Sequence, residues 1–103
     1  MGARLTWSPA ARADLLKLYV DIGGEQPAAA ERYYLRIEEK ARLLATQPRM
    51  GARRWDIKPH LRMLVETPFV MFYRITPDAD DVRVDTVEII RVVNGRQDLR
   101  SLF

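Results

Sequence analysis

An α+β fold of order β-α-α-β-β-β, an antiparallel sheet packed against an αα-hairpin, follows from three features of this 103-residue chain. Two helix-length stretches in the amino-terminal half repeat apolar residues three and four apart. The carboxyl-terminal half holds runs rich in β-branched and aromatic residues, separated by proline-containing turns. One of these runs, Val82–Val93 (VRVDTVEIIRVV), begins as an alternating face and then carries apolar residues on both faces from Val87 onward. A strand reads this way when both its faces are covered or when it changes face at a bulge, so it is placed at the centre of the sheet. Asn94–Gly95 ends it, because both residues tolerate positive φ.

The remaining elements follow in chain order. Ala3–Trp7 is a short strand with Leu5 and Trp7 on one face. Ser8–Pro9 supplies an N-cap and a first-turn proline. Ala11, Leu15, Leu18, Tyr19 and Ile22 then form one apolar stripe, and Gly23–Gly24 ends the helix through the left-handed conformation open to glycine. A second helix runs from Pro27 to about Thr46, with Ala30, Tyr33 or Tyr34, Ile37, Ala41 and Leu44 on its buried side. Arg49–Pro59 shows no period and reads as a loop. Leu61–Glu66 and Phe69–Thr76 form a hairpin about Thr67–Pro68, and Pro77–Asp81 turns into the central strand. In the tail, Leu99, Leu102 and Phe103 either fold back onto the core or await a partner.

Composition narrows the chemistry. A single domain, residues 1–103, is expected at this length, burying roughly 65% of its unfolded surface. There is no cysteine and one histidine, so disulfides, thiolate sites and a structural zinc site are excluded from the reading. No apolar run approaches the roughly 18 residues of a membrane span. The amino terminus lacks the apolar core of a signal peptide, so the expected compartment is the cytoplasm. No metal, cofactor or small-molecule substrate is expected. Asp78, Asp80 and Asp81 lack the glycine and distal glutamate of a calcium loop. No G-x-S-x-G elbow or phosphate-cradling glycine loop is present. His60 reads by default as exposed or hydrogen-bonded.

The arginines stand out. Fourteen of the 17 basic residues are arginine, a bias that suits bidentate pairing with carboxylate or phosphate and that a GC-rich genome also produces. Net charge is +3 overall, but residues 49–75 carry net +4 and residues 76–90 net −4. Arg62 alternates with Leu61 and Met63, and Arg74 with Tyr73 and Ile75, while Arg91 and Arg96 straddle the end of the central strand. With the three strands adjacent, two arrangements stand open. The four arginines converge on one anion-binding concavity, or each pairs separately with Glu66, Glu88, Asp85 or Asp98.

Five motifs in order resemble one family across nearly the whole chain. They are W-S-P-A-A-R-A-D-L (7–15), P-R-M-G-A-R (48–53), L-R-x-L (61–64), F-Y-R-I (72–75) and V-E-I-I-R-V-V-N-G-R-Q-D-L (87–99). The chain is similar to the RelE/ParE toxin superfamily, and within it to the ParE branch of bacterial type II toxin–antitoxin systems. That resemblance implies a toxin with a cognate ParD-like, ribbon-helix-helix antitoxin whose extended carboxyl segment wraps it. It further implies DNA gyrase as the target. The RelE branch instead cuts messenger RNA in the ribosomal A site, using basic residues in place of a metal. Carried onto this chain, the ribonuclease alternative rests on Arg62, Arg96 and Lys58, with Arg53 and Arg54 beside them. The tyrosine or histidine that ends the RelE pattern is replaced by Leu102 and Phe103, which removes the usual proton donor and argues against nuclease activity. The expectation is therefore a non-enzymatic toxin. Arg53, Arg54, Arg62, Arg74, Arg91 and Arg96, with Leu99, Leu102 and Phe103, are expected to meet its partners.

Overall fold

The structure, a computed structural model, describes residues 2–103. Its order is β1 (Arg4–Trp7), α1 (Pro9–Gly23), α2 (Pro27–Thr46), β2 (Ala52–Arg53), β3 (Arg62–Glu66), β4 (Phe69–Thr76) and β5 (Thr86–Asn94), followed by a 3₁₀ turn at Leu99–Leu102. The five strands form one sheet in the order β1-β5-β4-β3-β2. All pairings are antiparallel except β1 with β5, which is parallel. The expected α+β architecture holds; β5 lies inside the sheet between β1 and β4, and β4 is the middle strand.

Four local expectations need correction. The loop after α2 contains a two-residue strand, β2, too short to show a period. The central strand starts at Thr86 rather than Val82, because Arg49 donates hydrogen bonds to the Ala79 and Val82 carbonyls and holds that segment off the sheet. Tyr19 is exposed rather than part of the buried stripe. The glycine stops work without positive φ, which among the described residues is confined to His60 and Asp81. Gly24 stays right-handed, donating to the Val20 carbonyl, while Gly95 is needed for close approach to Val70 and Pro68.

Both helices lie on one face of the sheet. Ala11, Leu15 and Leu18 of α1 and Ile37, Ala41 and Leu44 of α2 pack on Leu64, Phe69, Met71, Tyr73, Ile75, Val87, Ile89 and Val92. The opposite face carries a second, smaller cluster of Leu61, Val70, Phe72 and Val93, covered by Ile57 and by Leu99 and Leu102 of the tail. The tail therefore folds back. Phe103 meets Phe72 edge to face at 5.2 Å, and Arg100 ties it to Asp56 at 2.9 Å. This two-sided cover is why β5 reads apolar on both faces.

The change of face in β5 occurs at a bulge. Phe72 opposes Arg91 and Tyr73 opposes Ile89, leaving Ile90 without a partner on β4. A bulge strands backbone groups, and here the start of α1 receives them. Ser8 N–H donates to the Ile89 carbonyl at 2.9 Å and Ser8 Oγ to the Ile90 carbonyl at 2.8 Å. The same Oγ accepts from Ala11 N–H and caps α1. Asp14, two turns of helix further on, accepts from Val92 N–H at 3.0 Å and from Arg91 Nε and Nη2 at 2.7 and 2.9 Å. That bidentate bond holds the Arg91 guanidinium above its ordinary pKa.

Replacing Asp14 with alanine strands the Val92 N–H and leaves Arg91 unpaired. It is expected to cost about 2–3 kcal/mol in urea unfolding, discounted for the partial exposure of the pair. A loss below about 0.5 kcal/mol, the range of neutral surface changes, rules out the bulge as a stability determinant.

Candidate functional site

The basic segment that follows α2 does find an anionic partner, and the partner is the acidic β4–β5 turn of the same chain. Arg53 on β2 pairs with Asp80 at 3.0 Å, and Arg62 on β3 pairs with Asp78 at 3.0 Å. Arg62 and Asp78 are both about 95% buried as side chains (4% and 6% exposed). Their pairing is single-stranded: Arg62 Nε and Asp78 Oδ2 find no hydrogen-bond partner, and His60 Nδ1 stops 3.6 Å from that oxygen. Tyr73, opposite Arg62 on β4, closes the cluster. Its hydroxyl accepts from Gly51 N–H and donates to the Pro48 carbonyl, each at 2.9 Å. Gly51 is required there, since an added Cβ would sit 2.6 Å from the Tyr73 hydroxyl.

The four strand arginines do not converge. Opposing residues on neighbouring strands share a face, so Arg62 lies with Tyr73 on the helix-facing side. Arg74, one residue on from Tyr73, projects from the other face and pairs with Glu88 at 2.9 Å. Arg91 turns to Asp14 at the bulge. Arg96 lies exposed beyond Asn94, whose side chain accepts from the Arg96 N–H. Separate pairing is thus the arrangement found, with Arg74–Glu88 as expected and with Asp78 and Asp14 as partners the sequence did not suggest. Arg62 and Arg91 belong to the fold.

Lys58, Arg62 and Arg96 do not assemble into a nuclease-like centre either. Lys58 stands 5.8 Å over the Phe103 ring, which packs on Phe72 on the face opposite Arg62. Arg96 follows the Asn94 end of β5, which pairs with Phe69, about 13 Å along β4 from the Tyr73 that opposes Arg62. On the tail side, Arg54 and Arg100 both pair with Asp56, and the Arg54 hydrogen bond holds that carboxyl below the usual carboxylate range.

Two kinds of exposed surface remain. Arg53, Arg74, Arg96 and Arg100 keep exposed guanidinium groups. Between α1 and α2 runs a groove of about 470 Å³ lined by Trp7, Leu15, Leu16, Tyr19, Tyr34 and Leu35, of which Leu16 and Leu35 are more than half exposed. Sequence periodicity missed this groove, because it assigns each helix one buried stripe. Among the described residues no set of three acidic, histidine or cysteine side chains is placed to hold a metal ion, and no helix is long and apolar enough to cross a membrane.

Comparison with known proteins places this arrangement. Residues 5–99 match the family model described as the ParE toxin of the type II toxin–antitoxin system parDE. The chain belongs to the ParE toxin family. Toxin ParE1 of Mycobacterium tuberculosis, in strains CDC 1551 / Oshkosh and ATCC 25618 / H37Rv, is 30% identical over 103 residues, 96% of either chain. Among solved structures, a chain of the chromosomal ParDE toxin–antitoxin system from P. aeruginosa superposes with a TM-score of 0.70 at 26% identity, over 89% of this chain and 95% of that one. The toxin–antitoxin complex RelBE2 from Mycobacterium tuberculosis gives a TM-score of 0.62 at 23% identity, over 91% of this chain and 99% of its own, and shares the fold. This ParE-family toxin therefore has the RelE/ParE fold, with Arg62 turned inward and Arg53 and Arg74 left in water.

Two outcomes test the buried cluster. Asp78→Ala leaves Arg62 charged and alone, and is expected to cost about 3–5 kcal/mol, whereas the double change Arg62→Met, Asp78→Ala recovers most of that loss. Equal losses in the two variants are the contrary result. Burial pushes the Tyr73 phenol above its ordinary value, so the folded chain holds that proton to higher pH than the unfolded chain. Its contribution is complete below about pH 10 and is lost as pH rises through the folded value. Tyr73→Phe should be less stable than wild type at neutral pH by about 1–2 kcal/mol, and urea unfolding should show that gap narrowing above about pH 10.

Proposed function

We propose that this ParE-family toxin acts without catalysis on DNA gyrase and is held inactive by a ParD-like, ribbon-helix-helix antitoxin. The observation that carries this reading is the match to the ParE toxin family over residues 5–99, together with the relationship to Toxin ParE1 across 96% of the chain. The nuclease alternative gains no support from the site. Arg62, its central candidate, is spoken for by Asp78 in the interior. Phosphoryl chemistry needs cations aimed at one reacting centre, and Lys58, Arg62 and Arg96 face three directions.

The antitoxin is read as an acidic segment that orders on binding. Its apolar side chains fit the α1–α2 groove, as an amphipathic helix fits an apolar channel. Its carboxylates meet the exposed arginines, of which Arg53, Arg74 and Arg96 lie outside the core and Arg54 is half-buried at the tail side. Leu99, Leu102 and Phe103 take part as the cover of the second sheet face, which such a segment would extend or displace.

Purified toxin is expected to block supercoiling of relaxed plasmid by gyrase, with activity restored by the antitoxin encoded in the neighbouring reading frame. Growth arrest with supercoiling intact points to another target. Codon-specific cleavage in a translation extract, lost in a Lys58→Ala variant, would establish the nuclease reading instead.

A further inference from the structure

Helix α1 is amphipathic twice. Ala11, Leu15, Leu18 and Ile22, spaced four, three and four apart, pack toward the sheet. Pro9, Ala13, Leu16 and Val20 repeat the same spacing two residues earlier, roughly 200° around the helix. This second line faces water. Leu16 is 64% and Val20 60% exposed, with Tyr19 at 40% beside them. A four–three apolar repeat is the seam of a helix that packs on another helix, and the fold supplies no helix for it.

We propose that the second seam joins two copies of this chain, α1 against α1 in antiparallel orientation. The spacing is self-complementary about a two-fold axis beside Leu18, as an isologous contact requires. Such an axis sets Leu16 of one copy against Val20 of the other, and Ala13 against Gly23. Bulky residues then meet at the centre and small ones at the ends, which lets the helices approach along their length. Charge fits as well. Lys17 and Asp21, paired at 2.8 Å within one helix, border the seam, and the antiparallel copy brings each within reach of its opposite across the axis. A helix of 15 residues spans about 22 Å, so the contact is of the small kind, with affinity in the micromolar range.

Leu16 lines both this seam and the α1–α2 groove, whereas Val20 lines only the seam. Given the antitoxin reading of the groove, which this point alone rests on, self-association and antitoxin binding exclude one another, and the antitoxin dissolves the toxin dimer.

Sedimentation of the purified toxin across the micromolar range should show a concentration-dependent dimer. Val20→Glu should weaken that dimer by at least about tenfold while leaving the urea midpoint of the dilute monomer unchanged and binding to the neighbouring frame's ribbon-helix-helix protein no weaker. A wild-type chain that stays monomeric, or a Val20→Glu chain as dimeric as wild type, overturns the proposal. So does a monomeric wild type whose Val20→Glu form loses the antitoxin, since the seam would then be the antitoxin's. Failure of both chains to bind that protein counts against the groove reading and leaves the dimer measurement decisive.

Discussion

A bulge cannot sit inside a sheet unless something takes up the backbone groups it strands, and in this protein that demand organises the architecture. Ser8 and Asp14 answer it from a single helix. The Ile89 and Ile90 carbonyls receive Ser8, and the Val92 amide and the Arg91 guanidinium receive Asp14. Because Ser8 also caps α1, the helix start and the strand irregularity are one structure. The bulge in turn lets β5 alternate correctly on both sides of the shift. Ile89 and Val92 face the helices while Ile90 and Val93 face the tail. Without the extra residue, one half of the strand would present its apolar set to the wrong layer.

The second organising fact is charge. A basic stretch followed by an acidic one looks in sequence like a surface waiting for an anion. In the folded chain the two stretches close on each other, with Arg49 on the turn carbonyls, Arg53 on Asp80 and Arg62 on Asp78. Arginine suits this work because its fixed fork holds a defined geometry and it sheds water more readily than lysine. Arg74, Arg96 and Arg100 keep exposed guanidinium groups, Arg74 and Arg100 beside Glu88 and Asp56. Arg62 is used inward, its guanidinium buried against the Asp78 carboxylate.

Helices and tail divide the sheet between them. The helical hairpin fills one face and the last five residues cover part of the other, so one sheet carries two clusters. The cover on the tail side is thin, held by Phe103 on Phe72 and by the Asp56 pairings, and it borders the exposed arginines. On the helical side the groove and the outer seam of α1 leave apolar surface in water.

Local pattern was enough to determine the order of the elements other than β2, the extents of both helices, the inward stripe of α2, the N-cap at Ser8, the two-faced character of β5 and the family. Each of these depends on residues near one another in the chain, where spacing alone fixes which side chains share a face. The outer seam of α1 was written there too, but a reader who grants each helix one stripe passes over it. Only the tertiary structure decided where Arg62, Arg74 and Arg91 point, that Asp14 and Asp78 are their partners, and that β2 joins the sheet edge. Strand phase says that Arg62 opposes Leu61 and that Arg74 opposes Tyr73. Which of those faces meets the helices depends on register across the hairpin and on a one-residue bulge at Ile90, far along the chain from both arginines. Pairings between residues 16 to 78 positions apart follow from that three-dimensional closure, and nothing in local spacing carries them.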